Sequence, residues 1–233
     1  MTKIEKSKFF GVLAAAALFC GAAMPQAQAT PLDKLSGQSI TVGNLIFSNF
    51  SWPYFNGLGP SNVDVQGLVV IDPATGKQTA GLRFVMIQSG VPAPFVMSPQ
   101  GGPHEIDFQL VYSVTDTTGQ LSTITTTTNA TAVGNSGIFE NTLAANVPGN
   151  FTNSTLTYMY YCNWFGALCA NTSSPLPGDF VEVTSGNPTF SAPLYPGLST
   201  YVVQHELQMQ ITNRKGTVGG TVTLQGFDTL FRE

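Results

Sequence analysis

Chemistry in this 233-residue chain would have to start from two histidines and a thin supply of acids. His205 stands between Val203 and Leu207 in a run that alternates apolar and polar side chains. A histidine on the apolar side of such a run is first a core residue held by hydrogen bonds. To act as a base or a metal ligand it needs a partner from a neighbouring strand. His104 is followed by Glu105 and Asp107, one nitrogen and two carboxylates that a metal could use. The two acids, however, alternate outward on a strand and read as a solvated face. Glu105, Asp107, Glu182 and Glu206 are the nominal supply for glycoside hydrolysis, which needs two carboxyl groups about 5–9.5 Å apart across a cleft. No G-x-S-x-G elbow supports a serine nucleophile. The turns at Asp72 and Asp116 offer hard oxygen to calcium but lack the carboxylate density of an EF-hand loop. An aspartate that opens a turn ordinarily accepts bonds from nearby backbone N–H groups. We therefore assign no catalytic centre, no cofactor and no metal site, and keep a secreted hydrolase as an alternative only.

Cysteines and aromatic residues are more informative. Cys162 and Cys169 are separated by six residues, the wrong spacing for a C-x-x-C redox or metal pair. In an oxidising compartment they are expected to form a disulfide. A loop of about eight residues would contribute roughly 2.5 kcal/mol by the chain-entropy model. Trp52, Tyr54 and Phe55 sit together before Asn56-Gly57, and Trp164 and Phe165 lie inside the cysteine loop. Aromatic rings with a polar edge can stack on a sugar ring or dock a partner. Trp52, Tyr54, Trp164 and Phe165 are thus the candidate ligand-stacking residues, set against core filling and loop packing as the plainer account of the same rings.

The compartment follows from the first 29 residues. Lys3, Lys6 and Lys8 give a positive start, Phe9 to Ala23 is mostly apolar, and Pro25 ends the run. Ala27-Gln28-Ala29 fits the small-x-small pattern cut by a signal peptidase. This is the layout of a secretory leader (residues 1–29), with cleavage between Ala29 and Thr30. The apolar run, about 15 residues, falls short of the roughly 20 needed to span a bilayer. Cys20 could be a lipidation site, but Phe19 before it replaces the small residue wanted there. The mature protein is expected to be secreted, periplasmic or at the cell surface.

Removal of the leader takes three lysines and one glutamate. Nine cations and thirteen acids become six and twelve, a formal charge of −6. A chain this acidic, with Arg214-Lys215 its only remaining basic pair, lacks the electrostatic term that binds nucleic acid. No second long apolar segment offers a transmembrane anchor. Charged residues make up only 9% of the chain, far below an ordinary domain, so its polarity comes from Thr, Ser, Asn, Gln and Gly.

The elements that must position these residues are strands. Ile106, Phe108, Leu110, Tyr112 and Val114 alternate with polar residues, as do Tyr201, Val203, His205, Leu207, Met209 and Ile211. Gly43-Asn44 and Asp72-Pro73-Ala74-Thr75-Gly76 are hairpin signals. We read residues 63–88, 105–131 and 201–231 as three hairpins. Further strands are expected at 138–144, 152–162 and 180–184, and residues 90–103 read as a proline-rich loop. After the leader no helical period appears. The expected fold is all-β: one antiparallel β-sandwich, jelly-roll-like, of roughly 8–11 strands over residues 30–233.

Residues 37–52 read Gly-Gln-Ser-Ile-Thr-Val-Gly-Asn-Leu-Ile-Phe-Ser-Asn-Phe-Ser-Trp. With Gly81-Leu82-Arg83-Phe84, the strand Asp107 to Thr115 and the closing Gly216 to Phe231, this segment resembles exported bacterial proteins of the PEP-CTERM group. That resemblance implies an extracellular or surface role, often alongside exopolysaccharide, and it carries over no catalytic residue. Such proteins end in a Pro-Glu-Pro motif, an apolar helix and a basic tail. This chain closes on Phe231-Arg232-Glu233 without them, so the resemblance implies release rather than retention at the envelope. The function expected from the sequence is a non-catalytic structural protein of the bacterial surface or matrix. Its partners would be extracellular polysaccharide or other surface proteins. A carbohydrate-binding module using exposed aromatics is the main alternative.

Overall fold

The computed structural model describes residues 29–71, 76–99, 105–119, 121–133, 136–145, 155–163, 180–182, 189–194, 197–211 and 220–232. These form fifteen strands: β1 (Thr30–Pro31), β2 (Ile40–Val42), β3 (Leu45–Asn56), β4 (Val63–Ile71), β5 (Gln78–Gln88), β6 (Val91–Pro92), β7 (Phe95–Met97), β8 (Glu105–Asp116), β9 (Thr123–Val133), β10 (Ser136–Ala145), β11 (Thr155–Asn163), β12 (Phe180–Glu182), β13 (Thr189–Pro193), β14 (Thr200–Ile211) and β15 (Thr221–Arg232). Five of them are only two or three residues long, which leaves ten of substantial length, within the expected range.

The strands build two sheets. The eight-stranded sheet runs β1-β4-β5-β15-β9-β13, with β6 paired to β5 and β7 to β15. The seven-stranded sheet runs β12-β11-β10-β14-β8-β3-β2. All pairings are antiparallel except β11 with β12. The inner faces meet in one apolar core whose largest buried side chains include Tyr112, Tyr201, Phe47, Phe84, Phe108 and Phe231. The antiparallel β-sandwich read from the alternation is therefore the fold. Its interior is aromatic: Phe84 stacks on Phe227 with ring centroids 4.4 Å apart, and Phe47 meets Tyr112 edge-on at 6.0 Å.

Two of the three expected hairpins are something else. Residues 63–88 do form one, with Val63 opposite Met86 and Ile71 opposite Gln78. Residues 105–131 do not: β8 pairs with β14 and β3, whereas β9 lies in the other sheet between β15 and β13. Residues 201–231 likewise cross from β14 in one sheet to β15 in the other. The physical reason is visible between β8 and β9. Leu121, just before β9, is buried in the core, as suits a chain that crosses to the facing sheet instead of turning back along the same one. Hydrogen bonds fasten both ends of the crossing. On one side Asp116 N donates to Ser199 O and Thr117 N to Asn44 O; on the other, Ser122 N donates to Arg232 O.

Within the expected loop at 90–103, the described residues 90–99 hold two short strands. β6 pairs with β5, and β7 places Met97 opposite Val222 in a buried position. Prolines at 92 and 94 keep both strands short, because proline has no N–H to give the ladder.

A bulge in β15 resets its alternation. Val222 and Leu224 are buried, then the register shifts between Leu224 and Gly226, and Phe227, Thr229 and Phe231 take over the inner face. On the outer face this sets Asp228 opposite Arg83, whose guanidinium donates two bonds of 2.8 Å to the carboxylate. Both partners are part-exposed, so this pair is worth about 0.2–1 kcal/mol and weakens with salt. Beside it the hydroxyls of Thr125 and Thr127 pair with Ser191 and Thr189 across β9 and β13.

Candidate functional site

His205 lies in the middle of the core and is fully buried. Alternation along β14 turns it inward between Val203 and Leu207, both also buried. Thr142 of β10 is its direct cross-strand neighbour, and the Thr142 hydroxyl lies 3.0 Å from Nδ1. Nε2 lies 3.2 Å from the Tyr112 hydroxyl and 3.2 Å from that of Thr229, which comes from the facing sheet. Thr126 donates in turn to Thr142 at 3.2 Å. The rings of Tyr112, Phe84 and Phe227 enclose the imidazole, with centroids 5.0–5.8 Å away. Hydroxyls can donate or accept, so they satisfy both ring nitrogens without bringing a charge into the core. His205 is thus the hydrogen-bonded core histidine that its position in β14 suggested. It ties the two sheets together through a polar cluster.

The outer face of the seven-stranded sheet has a different character. The row of backbone partners through Glu206 runs Tyr158, Asn141, Glu206, Gln109, Tyr54, from β11 to β3. The next row runs through Gln208, Asp107 and Asn56. Gln208 donates to Glu105 at 2.9 Å. Tyr54 and Phe55 at the end of β3 are 47% and 53% exposed, among the largest apolar surfaces the described residues leave to water. The outer face thus carries the amides Gln109 and Gln208 and the carboxylates Asp107 and Glu206, with the exposed ring of Tyr54 in register with Gln109. In the sequence this face was legible only as the solvated side of alternating strands. What the alternation did not give was the register that lines Gln109 and Glu206 up with Tyr54.

The predicted stacking residues divide. Tyr54 is exposed on this face, but Trp52 is half-buried and packs against the core. Register shifts in β3 between Ser48 and Ser51, and again between Ser51 and Tyr54, put the two rings in different settings. Trp164, Phe165 and Cys169 lie outside the described residues. Cys162 is in β11, with its side chain outside them, so the disulfide also falls there. His104 and Asp72 lie outside as well. Asp116 forms its turn as expected, its Oδ1 accepting from the Thr118 N–H and hydroxyl at 2.9 and 3.1 Å. Among the described residues no group of three His, Cys, Asp or Glu side chains is placed to hold a metal, and no helix is long and apolar enough to cross a membrane. Ala29 is exposed and Thr30 begins β1, opposite Val65.

This face carries a pH signature. Burial raises the Asp107 carboxyl above its ordinary value of 3.8, repulsion from Glu105 adds to the rise, and the Phe108 N–H opposes it. One carboxylate oxygen of Asp107 is buried without a hydrogen-bond partner among the described residues. A carboxyl with a raised folded pKa binds its proton more tightly folded than unfolded. Its contribution is present below 3.8 and is lost as pH rises through the folded value. Asp107→Asn should therefore raise the melting temperature at neutral pH, with the gain disappearing below about pH 4. Melting curves of both proteins across pH 3–8 check it, and a gain that is the same at every pH would contradict the assignment.

No family model and no curated protein matches the chain. Among solved structures it is similar to one described as TmCBM61 in complex with beta-1,4-galactotriose, at 14% identity and a TM-score of 0.34. The match covers 78% of this chain and 88% of that one.

Proposed function

We propose that this chain is an exported, non-catalytic β-sandwich protein of the bacterial surface or extracellular matrix, and that it holds neutral polysaccharide on the outer face of its seven-stranded sheet. The observation that carries this reading is the row Tyr54–Gln109–Glu206, an exposed ring followed by an amide and a carboxylate on adjacent strands. Sugars present vicinal hydroxyls that need donors and acceptors side by side, which amides and carboxylates supply. They also present C–H faces that stack on aromatic rings. From β3 to β14 the row spans about 10 Å, the length of roughly two sugar rings. Glu105, Asp107 and Glu206 make the face acidic, which favours a neutral glycan over an anionic one. The resemblance to the PEP-CTERM group and the leader support the location.

Affinity electrophoresis and calorimetry against a panel of neutral polysaccharides test the proposal. Tyr54→Ala is expected to weaken binding about tenfold, the effect of removing one stacking ring. Gln109→Ala should weaken it as well, with the melting temperature of both variants unchanged. Failure of the parent protein to bind any neutral glycan, or binding that Tyr54→Ala leaves intact, would reject this site.

A further inference from the structure

Of the fourteen asparagines in the chain, Asn56 alone is followed by a glycine. The pairing matters because the side-chain amide of an asparagine lies within reach of the next backbone nitrogen. Ring closure between them needs that nitrogen uncovered, and glycine has no Cβ to shield it. Asn56 is the last residue of β3, and both it and Gly57 are exposed. Gly57 has a φ of 81°, a conformation that a side chain would strain.

Other asparagines have their amides tied down. Asn49 Nδ2 donates to the Ser113 hydroxyl at 3.2 Å, Asn129 Nδ2 donates to Gln225 at 2.7 Å, and Asn62 Oδ1 accepts from the Gly59 N–H. No hydrogen bond to a described residue holds the Asn56 amide. Its backbone pairs with Asp107 on one side, and Leu58 is buried just beyond Gly57 on the other. Gly57 is an exposed link between two fixed points.

We infer that Asn56 is a site of spontaneous deamidation, which turns its amide into a carboxylate at the end of β3. The Gly57 backbone nitrogen attacks Cγ of Asn56. The N–Cγ bond forms as the Cγ–Nδ2 bond breaks, and the amide nitrogen leaves as ammonia with the proton from the Gly57 nitrogen. Water then opens the cyclic imide. Addition at Cγ cuts the new bond and gives aspartate. Addition at the main-chain carbonyl carbon of residue 56 cuts the original peptide bond and gives isoaspartate, whose backbone runs through Cγ. One water enters, one ammonia leaves, and no oxidant is consumed. The attacking nitrogen must lose its proton, so the reaction quickens as pH rises.

Register gives the change its consequence. Asn56 lies opposite Asp107, so the product sets two carboxylates across one strand pair, where like charges repel. Glu105 already raises the Asp107 carboxyl, and a second acid raises it further. Isoaspartate also lengthens the backbone between the exposed Tyr54 and the buried Leu58. The weaker neutral-glycan binding expected of the product rests on the function proposed above; the deamidation does not.

Mass spectrometry of the mature protein, held at physiological temperature over a range of pH, tests the assignment. The Asn56 peptide should show the amide-to-acid mass shift before any other asparagine peptide, with isoaspartate in excess and a faster rate at higher pH. In heavy-oxygen water the product should carry the label, and Asn56→Gln should abolish the shift at this position. A synthetic peptide of residues 53–60 reports the same sequence without the fold. Folded protein that keeps the Asn56 amide while the peptide is converted, or another asparagine that reacts first, would overturn the site. Asn56→Asp stands in for the aspartate product, and its Asp107 carboxyl should titrate at higher pH than in the parent by nuclear magnetic resonance. An unchanged Asp107 titration would overturn the electrostatic consequence. Asn56→Asp protein that binds neutral glycan like the parent would overturn the link to the glycan face and leave the deamidation site standing.

Discussion

Replacing Gly81 with alanine should unfold the protein at temperatures where the parent is folded. Gly81 lies on β5 opposite Leu230 of β15, and a Cβ built there falls onto the Thr229 carbonyl oxygen and within 2.8 Å of Leu230 Cα. Both obstacles are backbone. They cannot rotate away as a side-chain end can, so the strands must separate along the ladder that joins the middle of the eight-stranded sheet. Gly226 sets the same constraint from the other strand, since its Cβ would fall onto the Phe84 carbonyl oxygen. The clash lies in a fully packed region beside Phe84 and Phe227, where overpacking finds no slack. We expect a loss of more than about 4 kcal/mol, outside the ordinary range for point substitutions. For a domain of this length that is a fall of about 10 °C or more in melting temperature. Gly59→Ala is the control, because its nearest neighbours are the flexible ends of Asn62 and Ser61 at 3.7 and 4.0 Å. Thermal melts of the purified mature proteins decide it. A Gly81→Ala protein that melts within about 2 °C of the parent would show that β5 and β15 are less tightly apposed than described here.

Neither close approach is written in the local pattern, and this separates what the sequence makes readable from what it hides. Alternation is a property of one strand, so Ile106 to Val114 and Tyr201 to Ile211 declared their buried faces correctly, His205 included. Pairing is a property of two strands and of the link between them. The segment Asp116-Thr117-Thr118-Gly119 is good turn chemistry whether the chain folds back beside β8 or crosses to the facing sheet. The crossing is held by contacts far away in sequence: the burial of Leu121 in the core and the carbonyls of Asn44 and Ser199. The same limit applies to the surface. Tyr54 was readable as a ring, and the bulges in β3 that expose it while turning Trp52 toward the core were not.

Truncating His205 to alanine should cost about 3–5 kcal/mol, the range for emptying a large buried site. The informative experiment is the comparison with His205→Leu. Leucine refills much of the volume but offers nothing to the hydroxyls of Tyr112, Thr142 and Thr229, each of which lies within 3.2 Å of the imidazole. Losing the imidazole removes a hydrogen bond from each, and a buried hydroxyl with no other partner costs about 1–3 kcal/mol; Thr142 keeps its bond from Thr126, but His205→Leu should still be clearly destabilised although its core is full. Thr142→Val alone removes the Thr142 hydroxyl from Nδ1 and also breaks the bond from Thr126. In the double variant His205→Leu/Thr142→Val, both ends of one hydrogen bond become apolar. The combined loss should fall short of the sum of the single losses by about 0.5–3 kcal/mol. Denaturant melts of the four proteins give that coupling directly, and strict additivity would mean that the cluster does not act as a network. The same proteins also test whether His205 has any role beyond packing. Glycan binding by folded His205→Leu should equal that of the parent, because the imidazole is sealed between the sheets and the proposed glycan face lies outside them. A loss of binding in a variant that is still folded would make the histidine part of the function.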